Sequence, residues 1–449
     1  MNQDTIVAVA TPPGEGGIGI IRLSGDLAEQ ILTRCFFPPG GWKQPPESHR
    51  MMYGTLQDQG EPVDECMAVL MRAPRSYTRE NVAELHLHGG TYVLHRGIEI
   101  CLRLGARLAE PGEFTRRAFL NGRIDLSRAE AVMNLISARG EQAHHAAMRD
   151  LQGGAASFAR KAADELYSIQ AGLAACIDYP EEISDEEGMA DLAPRVRALA
   201  QTLRSAVDER SSRLLREGLR VALAGLPNAG KSSLLNALLG EEKAIVTEIP
   251  GTTRDMIEGE LTLGGIRVLL TDTAGLRETE DPVEKIGVAR SEKAMREADL
   301  VLLLMDGARE PEQTEWDRLR SLGADSAVVI SKSDLPSVLS RERIQQVRPD
   351  LPCFVCSIQE PDTLKPLKDF LRSRTEISDR VTLTQPRQAD AARRAAMHLE
   401  NALSTLETMT PDMASTDLQA AQEALSELTG DRSDEGLLDA VFSQFCVGK

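Results

Sequence analysis

The chain has 449 residues, which at roughly 150 residues per domain makes about three domains. It carries 51 Lys and Arg against 69 Asp and Glu, a formal net charge of −18, with 42% hydrophobic and 27% charged residues. That balance excludes a basic DNA-coating protein and a largely disordered chain. Apolar runs such as Leu300-Val-Leu-Leu-Leu-Met305 fall well short of the roughly 18 residues that cross a bilayer.

The opening Met1-Asn-Gln-Asp-Thr-Ile lacks the basic start and apolar stretch of a secretory signal, and seven scattered cysteines suit a reducing compartment. The expectation is a cytoplasmic protein with no membrane and no DNA partner, in which any RNA contact uses a local basic patch.

The first 120 residues read as mixed α and β. Ile6-Val-Ala-Val9 and Ile18-Gly-Ile-Ile21 are apolar runs separated by the turn-forming Thr11-Pro-Pro-Gly-Glu-Gly-Gly17. Val82-Ala-Glu-Leu-His-Leu-His88 alternates like a strand with one buried face. From about Leu126 to Leu215, Ala, Glu, Gln, Leu and Arg dominate at helical spacing. The acidic run Asp178 to Asp191 is expected to be a solvated loop between helices.

Residues 219 to 374 change character. Arg220–Ala224, Arg267–Leu270, Asp299–Leu304 and Ala327–Ile330 are β-rich runs alternating with helical segments, the pattern of a doubly wound sheet. Helical texture returns from Arg387 to Phe445, a stretch too short to build a robust core alone. The expected fold class is multidomain α+β and α/β. A G domain at 218–375 interrupts a helical domain formed by 121–217 and 376–449, after an N-terminal domain at 1–120.

Gly225-Leu-Pro-Asn-Ala-Gly230-Lys231-Ser232 fits the phosphate-binding pattern GxxxxGK[ST] between a strand and a helix. Its backbone N–H groups and the helix N-terminus are suited to cradle phosphates; Lys231 reaches the β/γ oxygens and Ser232 ligates Mg²⁺. A polar loop with Gly251-Thr-Thr253 offers a hydroxyl for the Mg²⁺ shell. Asp272-Thr-Ala-Gly275 offers a carboxylate for Mg²⁺-bound water and an N–H for the γ-phosphate. Asp334 in Ser331-Lys332-Ser-Asp334 can accept from the N1–H and N2–H₂ edge of guanine, which adenine lacks. The motifs together specify a guanine nucleotide.

Three departures stand out. Ser331 replaces the Asn usual in such GTPases, and the shorter side chain is expected to bridge base and phosphate loop less well. Ser357-Ile-Gln stands where Ser-Ala-Lys is usual, with a backbone N–H expected to reach the base oxygen. Leu276 occupies the place of the Gln that orients water in Ras-like proteins, so catalytic help must come from elsewhere. The carboxylate-rich segment Arg277 to Glu284 follows it.

The phosphate loop with Asn228, the Gly-Thr-Thr-Arg-Asp loop, Asp-Thr-Ala-Gly-Leu-Arg and the closing Phe445-Cys446-Val447-Gly448-Lys449 together resemble the MnmE (TrmE) family of tRNA-modification GTPases. Asp4-Thr-Ile-Val-Ala, Ala10-Thr-Pro-Pro-Gly, Glu110-Pro-Gly-Glu-Phe114 and Ala118-Phe-Leu-Asn121 match too, so the resemblance covers the whole chain.

It implies a folate-binding-like N-terminal domain and a Ras-like P-loop GTPase domain inserted in a helical one. Its nucleotide-contacting positions are Asn228, Ala229, Gly230, Lys231, Ser232, Ser233, Thr247, Glu248, Ile249, Pro250, Gly251, Thr252, Thr253, Asp272, Thr273, Ala274, Gly275, Ser331, Lys332, Asp334, Ser357 and Ile358. It further implies Glu284 as the acid orienting water. K⁺ is held by Asn228, Thr247, Ile249 and Thr252, and Mg²⁺ by Ser232 and Thr253.

The same resemblance implies a homodimer working with the flavoprotein MnmG in a heterotetramer. Together they place a carboxymethylaminomethyl or aminomethyl group on C5 of the wobble uridine of certain tRNAs. Arg22, Glu84, Arg123 and Lys449 match positions contacting a 5-formyl- or methylene-tetrahydrofolate; without the resemblance, both arginines read as exposed or helix-capping charges.

Cys446 has three readings: a poor prenylation box, a buried inert thiol, or the family's modification cysteine with a catalytic role. Cys353 and Cys356 read as core, and His86 and His88 as satisfied strand histidines. The alternatives to a modification enzyme are a ribosome-assembly GTPase, which usually adds a basic RNA-binding domain, and a nucleotide-gated scaffold without turnover.

Overall fold

A computed structural model of the chain describes residues 4–179, 185–241, 259–272, 293–378, 382–408, 411–430 and 435–448. The chain forms two compact units, one of Met1–Met133, Asp150–Gln201 and Asp390–Lys449, the other of Asn134–Arg149 and Thr202–Ala389.

The first unit contains a seven-stranded sheet with strands β1 (Thr5–Val9), β2 (Gly16–Ser24), β3 (Phe36–Phe37), β4 (Met51–Asp58), β5 (Glu61–Met71), β6 (Val82–Gly89) and β7 (Ala106–Leu108). The order is β3-β4-β5-β6-β2-β1-β7, antiparallel except for β1 beside β7. Alternation along β2 and β6 decides the faces. Ile21, Leu23, Leu85 and Leu87 point into a core shared with Ile31 and Leu32 of helix Ala28–Cys35 and Leu94 and Ile100 of helix Thr91–Arg103. Arg22 therefore lies directly across from Glu84 on the opposite face.

The helical part of this unit packs helix Gly154–Asp178 along helix Pro411–Thr429, burying Leu166, Ile169 and Leu173 of the first and Leu418, Leu425 and Leu428 of the second. Helix Glu435–Phe442 packs on helix Glu113–Leu120 through Phe442, whose ring centroid lies 6.3 Å from Phe119 and 5.3 Å from Phe445. Gly112 makes this approach possible. At φ 69°, a Cβ there would sit 2.6 Å from the Phe442 carbonyl oxygen.

One expectation is corrected. Asp185, Glu186, Glu187 and Asp191 belong to helix Asp185–Ser205, not to a loop.

The second unit contains a six-stranded sheet: β8 (Leu219–Ala224), β9 (Gly259–Leu263), β10 (Ile266–Asp272), β11 (Leu300–Asp306), β12 (Ser326–Ser331) and β13 (Cys353–Val355). The order is β13-β12-β11-β8-β10-β9, all parallel save the β9–β10 hairpin. Both faces are buried, which is why these strands read as continuous Val, Leu and Ile runs. The carboxyl ends of β8, β10, β11 and β12 gather Gly225, Asp272, Asp306 and Ser331, the place where such sheets bind ligands. Among the described residues no helix is long and apolar enough to cross a membrane.

Candidate functional site: a guanine nucleotide pocket

The phosphate loop leaves β8 at Gly225, whose φ of +149° and close approach to the Leu304 carbonyl (2.5 Å from an added Cβ) admit no side chain. Asn228, exposed at the loop, adopts φ 65°, and Gly230 φ 96°; helix Lys231–Glu241 follows. Lys231 is buried, and its ammonium donates to the carbonyls of Gly225 and Leu226, each at 3.1 Å. These bonds hold the charge over the loop that is to meet the phosphates.

Ser232 Oγ donates to Asp272 Oδ2 at 2.8 Å. Asp272 Oδ1 is buried with no hydrogen-bond partner among the described residues. An orphaned carboxylate oxygen costs free energy unless a cation or its water completes it, so this pair fits Mg²⁺. The expected contributions of Thr247, Glu248, Ile249, Pro250, Gly251, Thr252, Thr253, Thr273, Ala274, Gly275, Leu276 and Glu284 lie outside the described residues.

A cavity of about 230 Å³ opens beside this loop, lined by Gly230, Ser233, Lys332, Asp334, Ile358 and Gln359 among others. Lys332 takes a left-handed backbone (φ 59°) and donates to Asp306 Oδ2 at 2.6 Å, so its stem forms a wall of the cavity. Burial pushes the Asp306 carboxyl up, but the Lys332 bond, the Ala308 N–H and neighbouring cations outweigh it and hold the group below its ordinary value. Ser357 Oγ donates a short bond to Asp334 Oδ1, orienting the carboxylate expected to read guanine.

Ser331 reaches the phosphate-loop side of the expected bridge: its hydroxyl lies 2.7 Å from the Ala229 carbonyl oxygen and 3.3 Å from that of Met305. In the Ser357-Ile-Gln segment the Ser357 N–H donates to Thr363 Oγ1 at 2.8 Å, while Ile358 and Gln359 line the cavity. The role of Asp306 was missing from the sequence reading, although a carboxylate ending an apolar strand beside Gly307 was a visible signal.

The first unit brings some of the other candidates together. Arg22 Nε donates to Glu84 Oε1 at 2.8 Å, Glu84 Oε2 meets His86 Nε2 at 3.1 Å, and Arg22 Nη1 donates to the Gly448 carbonyl at 3.3 Å. The closing segment thus lies against β2, with the Gly112 N–H donating to the Cys446 carbonyl at 3.4 Å. Lys449 lies outside the described residues. The Arg123 guanidinium is 4.6 Å from the Tyr77 ring centroid and donates to the Tyr77 carbonyl at 3.0 Å.

Cys446 is exposed, which overturns the buried-thiol reading, whereas Cys353 and Cys356 are buried, with thiols pushed up to about 11 by burial. His88 Nδ1 meets Asp64 Oδ1 at 2.7 Å.

A phosphate loop, a carboxylate bonded to its serine and a second carboxylate in the adjoining cavity, at the carboxyl ends of a mostly parallel sheet, define a P-loop GTPase, an enzyme that binds and hydrolyses GTP. Residues 126–446 match the MnmE helical domain family, and residues 5–123 the family described as GTP-binding protein TrmE N-terminus. The chain is 43% identical over 473 residues to the tRNA modification GTPase MnmE of Heliobacterium modesticaldum, and 41% identical over 461 residues to that of Bacillus subtilis, covering 100% of both chains in each case. It also resembles the G domain of the T. maritima FeoB iron transporter, at 27% identity over 35% of this chain and 99% of that one, with a TM-score of 0.28. The chain belongs to the MnmE family of tRNA modification GTPases.

Proposed function

We propose that this GTPase is K⁺-stimulated and acts in the cytoplasm as a homodimer with the flavoprotein MnmG. It then installs an aminomethyl or carboxymethylaminomethyl group at C5 of the tRNA wobble uridine. The N-terminal domain at 1–120 takes the tetrahydrofolate one-carbon donor, and the G domain spans 218–375 between helical segments 121–217 and 376–449.

The observation that carries the reading is Asn228, exposed at the phosphate loop in a left-handed conformation, in a chain whose water-orienting Gln is replaced by Leu276. A side-chain amide oxygen is a hard donor suited to an alkali cation, with Thr247, Ile249 and Thr252 completing the set and Ser232, Asp272 and Thr253 suited to Mg²⁺. The cations supply positive charge beside the β/γ oxygens, where negative charge develops in phosphoryl transfer. Lys231 binds the same oxygens, and Glu284 orients the attacking water.

In the first unit Arg22 and Glu84 are suited to a folate's carboxylate and donor edge. Both are presently satisfied by each other and by Gly448, so folate entry exchanges these partners. The exposed Cys446 acts at the modification step. The test is GTP turnover in KCl and NaCl at equal ionic strength: faster turnover in K⁺ supports the reading, and equal rates remove the alkali cation from it.

A further inference from the structure

The closing segment is seated between two elements of the first unit. On one side the Gly112 N–H donates to the Cys446 carbonyl, Arg116 pairs with Asp439 at 3.1 Å, and a Cβ added at Gly112 would lie 2.9 Å from Phe445 Cβ. On the other, Gly448 at φ 95° lies against the Val9 carbonyl at the end of β1, so closely that no side chain fits. A cluster of ionised groups, used by neither the GTP nor the folate reading, joins these two walls.

Glu113 begins helix Glu113–Leu120 and is the chain neighbour of Gly112; both its carboxylate oxygens are taken. Oε1 accepts from Arg107 Nη2 at 2.5 Å and Arg117 Nη2 at 2.9 Å, and Oε2 from Arg107 Nη1 at 2.8 Å and the Glu110 N–H at 2.9 Å. The same two guanidiniums reach the Asp4 carboxylate just before β1, Arg107 Nε at 2.5 Å and Arg117 Nη2 at 2.8 Å. Arg117 Nη1 also donates to the Asp4 carbonyl at 3.0 Å and to Glu80 Oε2 at 3.2 Å. Glu113 and Arg117 are only 8% and 9% exposed. Removing such charges from water offsets most of what their pairing contributes to stability, whereas forked bonds fix orientation.

We infer that Glu113 is a positioning residue for the modification step. By locking the first turn of its helix to Asp4 through Arg107 and Arg117, it fixes Gly112 relative to Val9, and with them the backbone that carries the Cys446 thiol. The inference rests on the reading that Cys446 acts in tRNA modification. A displacement of about 1 Å at a reacting group can cost on the order of 10² in rate, so a rigid seat has kinetic value.

The test compares the native full chain with Glu113→Gln, Arg107→Lys, Asp58→Asn and Cys446→Ser. Asp58 is the control, since it sits in a like cluster with Arg96 and Arg103, at the end of β4 and on helix Thr91–Arg103 rather than at the closing segment. Amide hydrogen exchange of residues 443–448 should quicken roughly tenfold in Glu113→Gln and stay native in Asp58→Asn. With the flavoprotein partner present, kcat for wobble-uridine modification by Glu113→Gln should fall about ten- to hundredfold, with KM for tRNA unchanged. GTP turnover should not change. Arg107→Lys keeps the charge and loses the fork, so it should move both readouts the same way to a lesser degree, and it carries the test if Glu113→Gln does not fold.

Native exchange in both cluster variants overturns the inference. So does faster exchange with kcat unchanged, and so does an equal loss of modification in Asp58→Asn, which reduces the cluster to stability. Cys446→Ser judges the underlying reading: modification at the native rate removes Cys446 from the reaction, and the inference with it. An inactive Cys446→Ser beside a fully active Glu113→Gln counts against the positioning role alone.

Discussion

Ser331 reaches across from the end of β12 to the phosphate loop, its Oγ 2.7 Å from the carbonyl oxygen of Ala229. Both groups are buried, so the bond ties the end of β12 to the GxxxxGK[ST] loop. Ser331→Ala leaves that carbonyl unsatisfied, at a cost of about 1–3 kcal/mol. We expect GDP and GTP affinity to fall roughly tenfold, read by titration of a fluorescent nucleotide. Unchanged affinity would mean that the link has no part in binding.

Asp334 is oriented by Ser357 toward the cavity. Replacing its carboxylate by an amide supplies a donor where guanine also offers one, whereas xanthine offers an oxygen. Asp334→Asn should therefore reverse the preference from GTP to xanthosine triphosphate. Competition between the two nucleotides decides the point, and a variant still preferring GTP would contradict the assignment.

The Asp306–Lys332 pair has a pH signature. The Asp306 carboxyl sits below its ordinary value of 3.8 in the folded chain. Its stabilising contribution is thus complete above that value and lost as pH falls through the lower folded value. Asp306→Asn should destabilise the G-domain unit by about 1 kcal/mol at pH 7, with the difference from the native chain shrinking in acid below pH 3.8. Urea unfolding at several pH values checks this; a difference that grows in acid has the wrong sign.

Glu284 carries the proposed orientation of water. Glu284→Gln should keep nucleotide affinity within about twofold while lowering kcat roughly 10²-fold or more. A variant that loses affinity instead would place Glu284 in binding.

Phe442 sits between Phe119 and Phe445 and is almost fully buried. Phe442→Ala should cost about 3–5 kcal/mol through lost transfer energy and a cavity. Thermal unfolding of the first unit reads it, with GTP turnover by the second unit as the internal control.

Much of the fold was legible. The strands of the G domain read as uninterrupted apolar runs because they are buried on both faces, and β6 alternated because one face is wet. The phosphate loop was legible because its geometry needs glycine at fixed places. What the sequence hid is of another kind. The Ser331–Ala229 bond depends on how close two strand ends come, which residue type alone does not state. The use of the Ser357 N–H by Thr363 is a turn-level competition between donors. The helical placement of Asp185–Asp191 was masked by charge, since a solvated helix and a solvated loop are equally polar. The stacking of Arg123 on Tyr77 is a contact that sequence spacing does not reveal.

Of the chain's cysteines, Cys35, Cys66, Cys101, Cys176, Cys353 and Cys356 are buried and Cys446 alone is exposed. Burial pushes the Cys66 thiol up to about 12, and thiols kept protonated and covered react slowly with electrophiles. A maleimide dye or spin label therefore has one address in the native protein, within the closing segment. Stoichiometric tagging there would turn the movements of that segment into an optical or magnetic signal without altering a single codon.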